Sequence, residues 1–523
     1  MKIKVSYFSY SAAVFRFMLA ILAAVVPTGH AANYYLDSAT GNDAAAGTDA
    51  ATPWKSLAKA NGVALKPGDQ ILLIRGGVWF GQLKIRLGGD AQRPVYVGAY
   101  GDKSKPRPTL HGEGKVEAPV FIDNGANHVT IEGLAVTNYD GKDIYDEAEG
   151  NRCGIKAGFW GGSLTNVKIL NNEVYYVESC SNHPTVGSPR GTTLDQKKFH
   201  QYGCAAIFAN ASDMKDILID GNEVRDSTGT GILVFAYNRV IGALIQHNRI
   251  TNIGSDGIEL LQATSPVVQY NSCIRAGNNS GESERKPGVL GHNGLAVCGM
   301  WAVNSSDVLF QYNYCEGTKT IKYDGQAWDF DMNLTGTCIY QYNFSRDNEG
   351  GFLLSTGESR PGYTRICRFN ISVNDGSNSG AGQGFFDNIC ESYENNIFYR
   401  TDGKPFMPDP RKLSKPMKGT FTNNIFYTTA TAGVNYQMEG RDFKNNCFHG
   451  HTPVDPGSHA VLADPLFTNA PAVAAAKSLK ELDGFRLKPG SPCLGAGALL
   501  PNNGAKDFWG KPLSAEKANI GAQ

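Results

Sequence analysis

Ile245-Gln246-His247-Asn248-Arg249-Ile250 is followed by Val268-Gln269-Tyr270-Asn271-Ser272-Cys273 and then by Phe310-Gln311-Tyr312-Asn313-Tyr314-Cys315. The shared phrase places an apolar residue three positions before an asparagine and a small or apolar one two positions after it. It recurs around Asn172, Asn222, Asn248, Asn271, Asn313, Asn343, Asn370, Asn396, Asn424 and Asn446. Most intervals run from 22 to 30 residues, with 50 and 42 where extra sequence is inserted. Internal periods of this size mark a solenoid. Within each phrase apolar and polar residues alternate, which is the strand period. The expected architecture is therefore strands stacked coil on coil, with two inward columns flanking an asparagine column. An asparagine buried at a turn can pass an amide hydrogen bond to its counterpart about 4.8 Å away on the next coil, so the ladder needs no catalytic explanation.

A solenoid with irregular coil lengths, corner insertions and asparagine at its turns resembles the pectate-lyase-like superfamily. The opening Tyr34-Tyr35-Leu36-Asp37, Pro53-Trp54, Pro67-Gly68-Asp69 and Gly76-Gly77 is similar to the start of many secreted β-helix proteins. Asp464-Pro465-Leu466-Phe467 and Lys488-Pro489-Gly490-Ser491-Pro492 are similar to their ends. The resemblance implies an all-β, single-stranded right-handed parallel β-helix and a carbohydrate-active role. The same fold hosts lyases, hydrolases and binding proteins, so activity has to be argued from the site. Helical spacing of Trp54, Leu57, Ala58 and Val63 predicts a short capping helix over the first coil. The Gly- and Pro-rich stretch after Gly484 is expected to close the other end.

Residues 1–31 read as a secretory leader: Lys2, Lys4 and Arg16 precede an apolar run from Phe17 to Val26, and Gly29-His30-Ala31 offers small residues for cleavage. The expected organisation is that leader, an N-terminal cap with first coils over 32–120, β-helix repeats over 121–455 and a closing segment over 456–523. No later stretch approaches the roughly 18 apolar residues of a membrane span. Without the leader, 46 Lys plus Arg stand against 49 Asp plus Glu. Such near-neutrality argues against a nucleic-acid partner and leaves a polysaccharide as the expected one, bound by a monomer. The 11 cysteines lack zinc-site spacing. Cys273, Cys315 and Cys367 fall in inward columns as small hydrophobes, with Cys273 and Cys315 also within disulfide reach; Cys153, Cys180 and Cys204 are expected to be bridged.

Insertions at Glu178–Gln201, Arg275–Gly291 and Thr401–Lys418 leave equivalent corners and are expected to wall a groove. Along its floor the strands align as Gly257-Ile258-Glu259-Leu260, Gly294-Leu295-Ala296-Val297, Ala327-Trp328-Asp329-Phe330 and Gly351-Phe352-Leu353-Leu354. Alternation turns Glu259 and Asp329 outward in one exposed column, two coils or about 10 Å apart, with Asp331 about 6.5–7 Å from Asp329 on the same face. Carboxyl pairs about 6.5–9.5 Å apart suit inverting glycoside hydrolysis, so Asp329 and Asp331 are the first catalytic candidates, followed by Glu259, Asp256 and Asp324. His292, Arg346 and Lys322 are candidates for holding substrate. His292 in Gly291-His292-Asn293-Gly294 is faintly similar to a polygalacturonase signature, but that family's Asp-Asp pair and Arg-Ile-Lys have no equivalent here. Hydrolysis requires no cofactor. The alternative reaction, elimination from a uronate, would use Ca²⁺ held by Asp324, Asp347 and Glu349 with Lys322 or Arg346 as base. A third reading, glycan binding without catalysis, looks to Tyr314 and Phe344 on the outer face for sugar stacking.

Overall fold

The structure is a computed structural model and describes residues 31–142, 152–159, 161–179, 204–277, 296–320, 323–356, 362–376, 392–403, 406, 419–429, 441–453, 455–473 and 475–523. All named strand pairings among them are parallel, in a 22-stranded sheet, a 13-stranded sheet and a two-stranded one. The larger sheet comprises two ribbons that merge because Ala205–Asp220 and Thr230–Ile241 run straight through a corner. Chain and solenoid thus form a parallel β-helix.

The predicted columns are those observed. Ile219, Ile245, Val268, Phe310 and Tyr340 pair in register on one ribbon, and Val224, Ile250, Cys273 and Cys315 on the other, all facing a dry interior. Burying each such aliphatic side chain contributes about 1.5–3 kcal/mol, which makes the repeated apolar pair the main cause of coiling.

Between the columns the asparagine ladder is continuous from Asn172 to Asn446. Asn271 Nδ2 donates to Asn313 Oδ1 at 3.0 Å and Asn313 Nδ2 to Asn343 Oδ1 at 3.1 Å; each oxygen also accepts the preceding asparagine's backbone N–H. The second amide proton reaches a carbonyl of the coil before, as from Asn313 to Val268 O at 2.9 Å. The residue just before each ladder asparagine takes positive φ, including His247, Tyr270, Tyr312, Tyr342 and Phe369. Strain at these turns is offset by satisfying every buried amide.

The predicted helix is Leu57–Asn61, capped by Ser56 Oγ accepting from Lys59 N, and it buries Leu57 and Ala60 beside Leu36 and Trp54. Closure at the other end differs from expectation. Ser458 and Val461 bridge the last coil, whereas residues 464–523 return along the flank instead of capping the end. The reason is the side-chain amides of the turn column: Asn395 donates to Asn519 O, Asn423 to Ala498 O and Asn445 to Ala496 O, each at 2.9 Å. Tyr342 Oη adds a bond to Lys506 O, also at 2.9 Å. This segment covers Tyr314 and Phe344, which are stacked at 5.1 Å and buried. The expected sugar-stacking surface is therefore an internal packing surface. Cys273 and Cys315 pair in register as free, buried thiols, and Cys153 is a buried thiol rather than half of a bridge, its pKa pushed up to about 11 by burial.

Candidate active site

The coil from Tyr323 to Asp331 is set by a tight turn. Asp324 has φ 62° and Gly325 φ 97°; a Cβ on Gly325 would stand 2.2 Å from Thr320 Oγ1 and 2.9 Å from Gly350 N. Only glycine admits that approach, and Thr320 Oγ1 secures the turn by donating to Asp324 O at 2.9 Å. The strand Gln326–Phe330 follows, with Trp328 and Phe330 in the core and Asp329 turned outward.

Register places Glu259 opposite Trp301, Trp301 opposite Asp329 and Asp329 opposite Leu354. Glu259 and Asp329 do share an outward column, two rungs or about 10 Å apart. Two details of the expected alignment change. The intervening coil is Gly299-Met300-Trp301-Ala302, not Gly294-Leu295-Ala296-Val297, because a Cβ at Gly299 would lie 2.3 Å from Cys315 Sγ and 2.6 Å from Ala327 O. In the next coil Leu354, not Leu353, faces out. The column is also not exposed: Glu259 and Asp329 keep only 2% and 5% of their surface, beside an outer apolar patch of Phe208, Leu233, Trp301 and Leu354.

Among the described residues Glu259 Oε1 and Asp329 Oδ1 have no hydrogen-bond partner. Burial, then the charges of Asp256 and Asp331, push the Glu259 carboxyl well above its ordinary range against an opposing hydrogen bond from Thr230. Burial, then Asp331 and Asp324, do the same to Asp329, with Arg365 opposing. Burial and the neighbouring carboxylates thus favour the protonated form of both acids. Tyr340 Oη donates to Asp329 O at 2.5 Å and fixes the backbone beneath the acid.

Asp256 is committed elsewhere. Its Oδ1 accepts from Cys298 N at 2.8 Å and Trp301 Nε1 at 2.7 Å, and Ser255 Oγ donates to Oδ2 at 2.9 Å, so it anchors Trp301 between Glu259 and Asp329. Asp331 is part-exposed, and its Oδ1 accepts from Met332 N and Thr356 Oγ1, both at 2.6 Å. Asp324 is part-exposed as well. The coil therefore offers two carboxyl groups within reach of a ligand, Asp324 and Asp331, flanking the buried Asp329.

The remaining candidates do not join this cluster. Arg346 bonds Asp347 Oδ2 through Nε at 2.8 Å and Nη2 at 2.6 Å, and donates to Ala476 O of the returning segment at 3.0 Å. Glu349 is paired with Lys319 Nζ at 2.7 Å and accepts from Thr320 N. The proposed Ca²⁺ set of Asp324, Asp347 and Glu349 is thus not assembled, since two of its members neutralise local cations. Among the described residues no group of three or more acid, His or Cys side chains is arranged to hold a metal. His292, Lys322 and most of the three corner insertions lie outside the described residues, as does the leader.

A model described as a right-handed β-helix region matches residues 176–360. The chain is similar to lacto-N-biosidases. It is 26% identical over 576 aligned positions to the lacto-N-biosidase of Bifidobacterium longum subsp. longum, covering 90% of this chain and 35% of that protein. The chain thus spans about a third of the length of the curated relative it matches. Among solved structures, the selenomethionine derivative and the native protein of the GH136 lacto-N-biosidase from Eubacterium ramulus superpose with TM-scores of 0.59 and 0.57. Their identities are 23% and 22%, over 76% and 79% of this chain and 67% of that one. That superposition establishes the right-handed parallel β-helix.

Residues missed in the sequence are Trp301, Tyr340, Thr356 and Arg365. Thr356 was legible in principle: once Asp329 pairs with Leu354, Asp331 must meet Thr356 one rung away.

Proposed function

We propose that this chain is a glycoside hydrolase acting at the outward face of the coil 323–331. Asp324 and Asp331 are the carboxyl groups that touch the sugar, and Asp329 and Glu259 stay neutral beside them. The observation that carries the reading is the grading of the acid cluster: two part-exposed carboxyl groups flank a buried one whose oxygen lacks a partner. In glycoside hydrolysis one carboxyl protonates the leaving oxygen while the other attacks the anomeric carbon or activates water. Like charges crowded in one site raise the pKa of some of its acids, and with Asp331 in the second role Asp324 is the carboxyl that would carry the proton to the leaving oxygen. Asp331 suits the second role because both donors bind Oδ1, leaving Oδ2 with no partner among the described residues.

The lacto-N-biosidase similarity supports hydrolysis over elimination and makes a lacto-N-bioside the first substrate to test. The composition of residues 1–31 supports action outside the cytoplasm. The test incubates the protein with p-nitrophenyl lacto-N-bioside and a panel of neutral and uronate polysaccharides, following nitrophenol, new reducing ends and the ultraviolet absorbance of unsaturated uronates. Nitrophenol or reducing ends without that absorbance is the expected result. Rising absorbance overturns the reading in favour of elimination, and silence across the panel overturns it in favour of binding alone.

A further inference from the structure

Asp331 does not stand alone. Thr356 leaves the strand Gly351–Ser355 with its N–H donating to Phe330 O at 3.0 Å, one rung from the proposed catalytic coil. That backbone bond aims the Thr356 hydroxyl at Asp331, whose Oδ1 it reaches at 2.6 Å. Behind it, Arg365 Nη1 donates to Ser355 Oγ at 2.8 Å and to Thr356 O at 2.9 Å. Arg365 is itself buried, at 2% exposure, in the strand Tyr363–Arg368 on the adjacent ribbon.

We infer that Thr356, braced by Arg365, is a positioning residue that sets the orientation of the Asp331 carboxylate. The geometry separates its two oxygens: Oδ1 is filled by Met332 N and Thr356 Oγ1, and rotation about the carboxylate would break both bonds. Oδ2 is thereby presented in a single direction. A hydroxyl is the smallest donor that can do this from the next rung. A guanidinium beneath the following peptide keeps that rung from drifting, since Arg365 spends one nitrogen on both Ser355 and Thr356.

The inference rests on the hydrolase reading and on Asp331 as a group that touches the sugar. The experiment measures hydrolysis of p-nitrophenyl lacto-N-bioside by the full chain carrying Thr356→Val, Thr356→Ser, Asp331→Asn, or Thr356→Val with Asp331→Asn. Misorienting one reacting group costs on the order of 10- to 100-fold. Thr356→Val should lose about that in kcat with KM nearly constant and melting temperature unchanged, and Thr356→Ser should restore the rate. In the Asp331→Asn background Thr356→Val should cost nothing further. Wild-type kcat in Thr356→Val, failure of Thr356→Ser to rescue, or an additive loss in the double variant overturns this inference alone. An inactive wild type overturns the hydrolase reading first, and Asp331→Asn at the wild-type rate overturns Asp331 as a group that touches the sugar, and this inference with it.

Discussion

Glu259 and Asp329 stand in one outward column with Trp301 between them, and each carries a buried oxygen with no partner among the described residues. Burial of both acids favours their protonated forms. A carboxyl whose folded-state pKa is raised stabilises the fold fully below its unfolded value and loses that contribution as pH rises through the folded value.

Stability should therefore fall with rising pH from about pH 4, the unfolded range of Glu and Asp, up through the raised values of Glu259 and Asp329. Glu259→Gln, a neutral isostere, should melt higher than the wild type at alkaline pH, the gap closing as pH falls towards about 4. Thermal melts across pH check this; a constant offset at every pH would show that Glu259 is not the group concerned.

Asp324→Asn and Asp331→Asn should each lower turnover by about 10²- to 10⁴-fold, the range of a positioned acid or base. Both side chains are part-exposed, so urea unfolding should show a change of less than about 1 kcal/mol. Asp329→Asn replaces a neutral acid with its amide and should cost less activity than either, with stability retained. Initial rates of the three variants under one condition rank them.

The asparagine ladder can be tested by contrast within one region. Asn313→Ala removes two amide donations and leaves the Asn271 N–H groups facing an empty acceptor site, at a cost of about 3–5 kcal/mol. Asn333→Gly, which its φ of 58° admits without strain, removes one exposed bond to Asn304 and should fall within about 1 kcal/mol of the wild type. Urea midpoints with an unchanged slope decide it.

Cutting the chain before Asp464 removes the segment that covers Phe344, Ile371, Val373, Ile397 and Ile425. An exposed apolar strip of this kind is an aggregation site. The shortened chain should be recovered in the insoluble fraction or bind anilinonaphthalene sulfonate strongly; a soluble product that does not bind the dye would mean that the segment is dispensable for the coil.

The coil was legible because it repeats. Asparagine at one turn, with an apolar residue three before and a small or apolar one two after, leaves a single register for the buried strands. The inward side of the site was legible for the same reason, as was the Glu259–Asp329 column. Three things were not. The position of Trp301 depended on choosing between Gly294-Leu295 and Gly299-Met300, and the contact that decides, Gly299 against Cys315 Sγ, is not visible in one coil's sequence. Asp329 is buried on an outward face between Trp301 and Leu354 of the adjoining coils, where alternation alone reads it as exposed. The return of residues 464–523 along the flank depends on side-chain amides of Asn395, Asn423 and Asn445 capturing distant carbonyls, with no periodic signal.

The most direct test of the account is the rate of p-nitrophenyl lacto-N-bioside hydrolysis by the wild type and by Asp331→Asn, with folding of each verified by its melting curve. The account predicts release by the wild type and a loss of at least about 10²-fold in an equally stable Asp331→Asn. Equal rates in the two proteins would contradict it, and so would a wild type that leaves the glycoside intact.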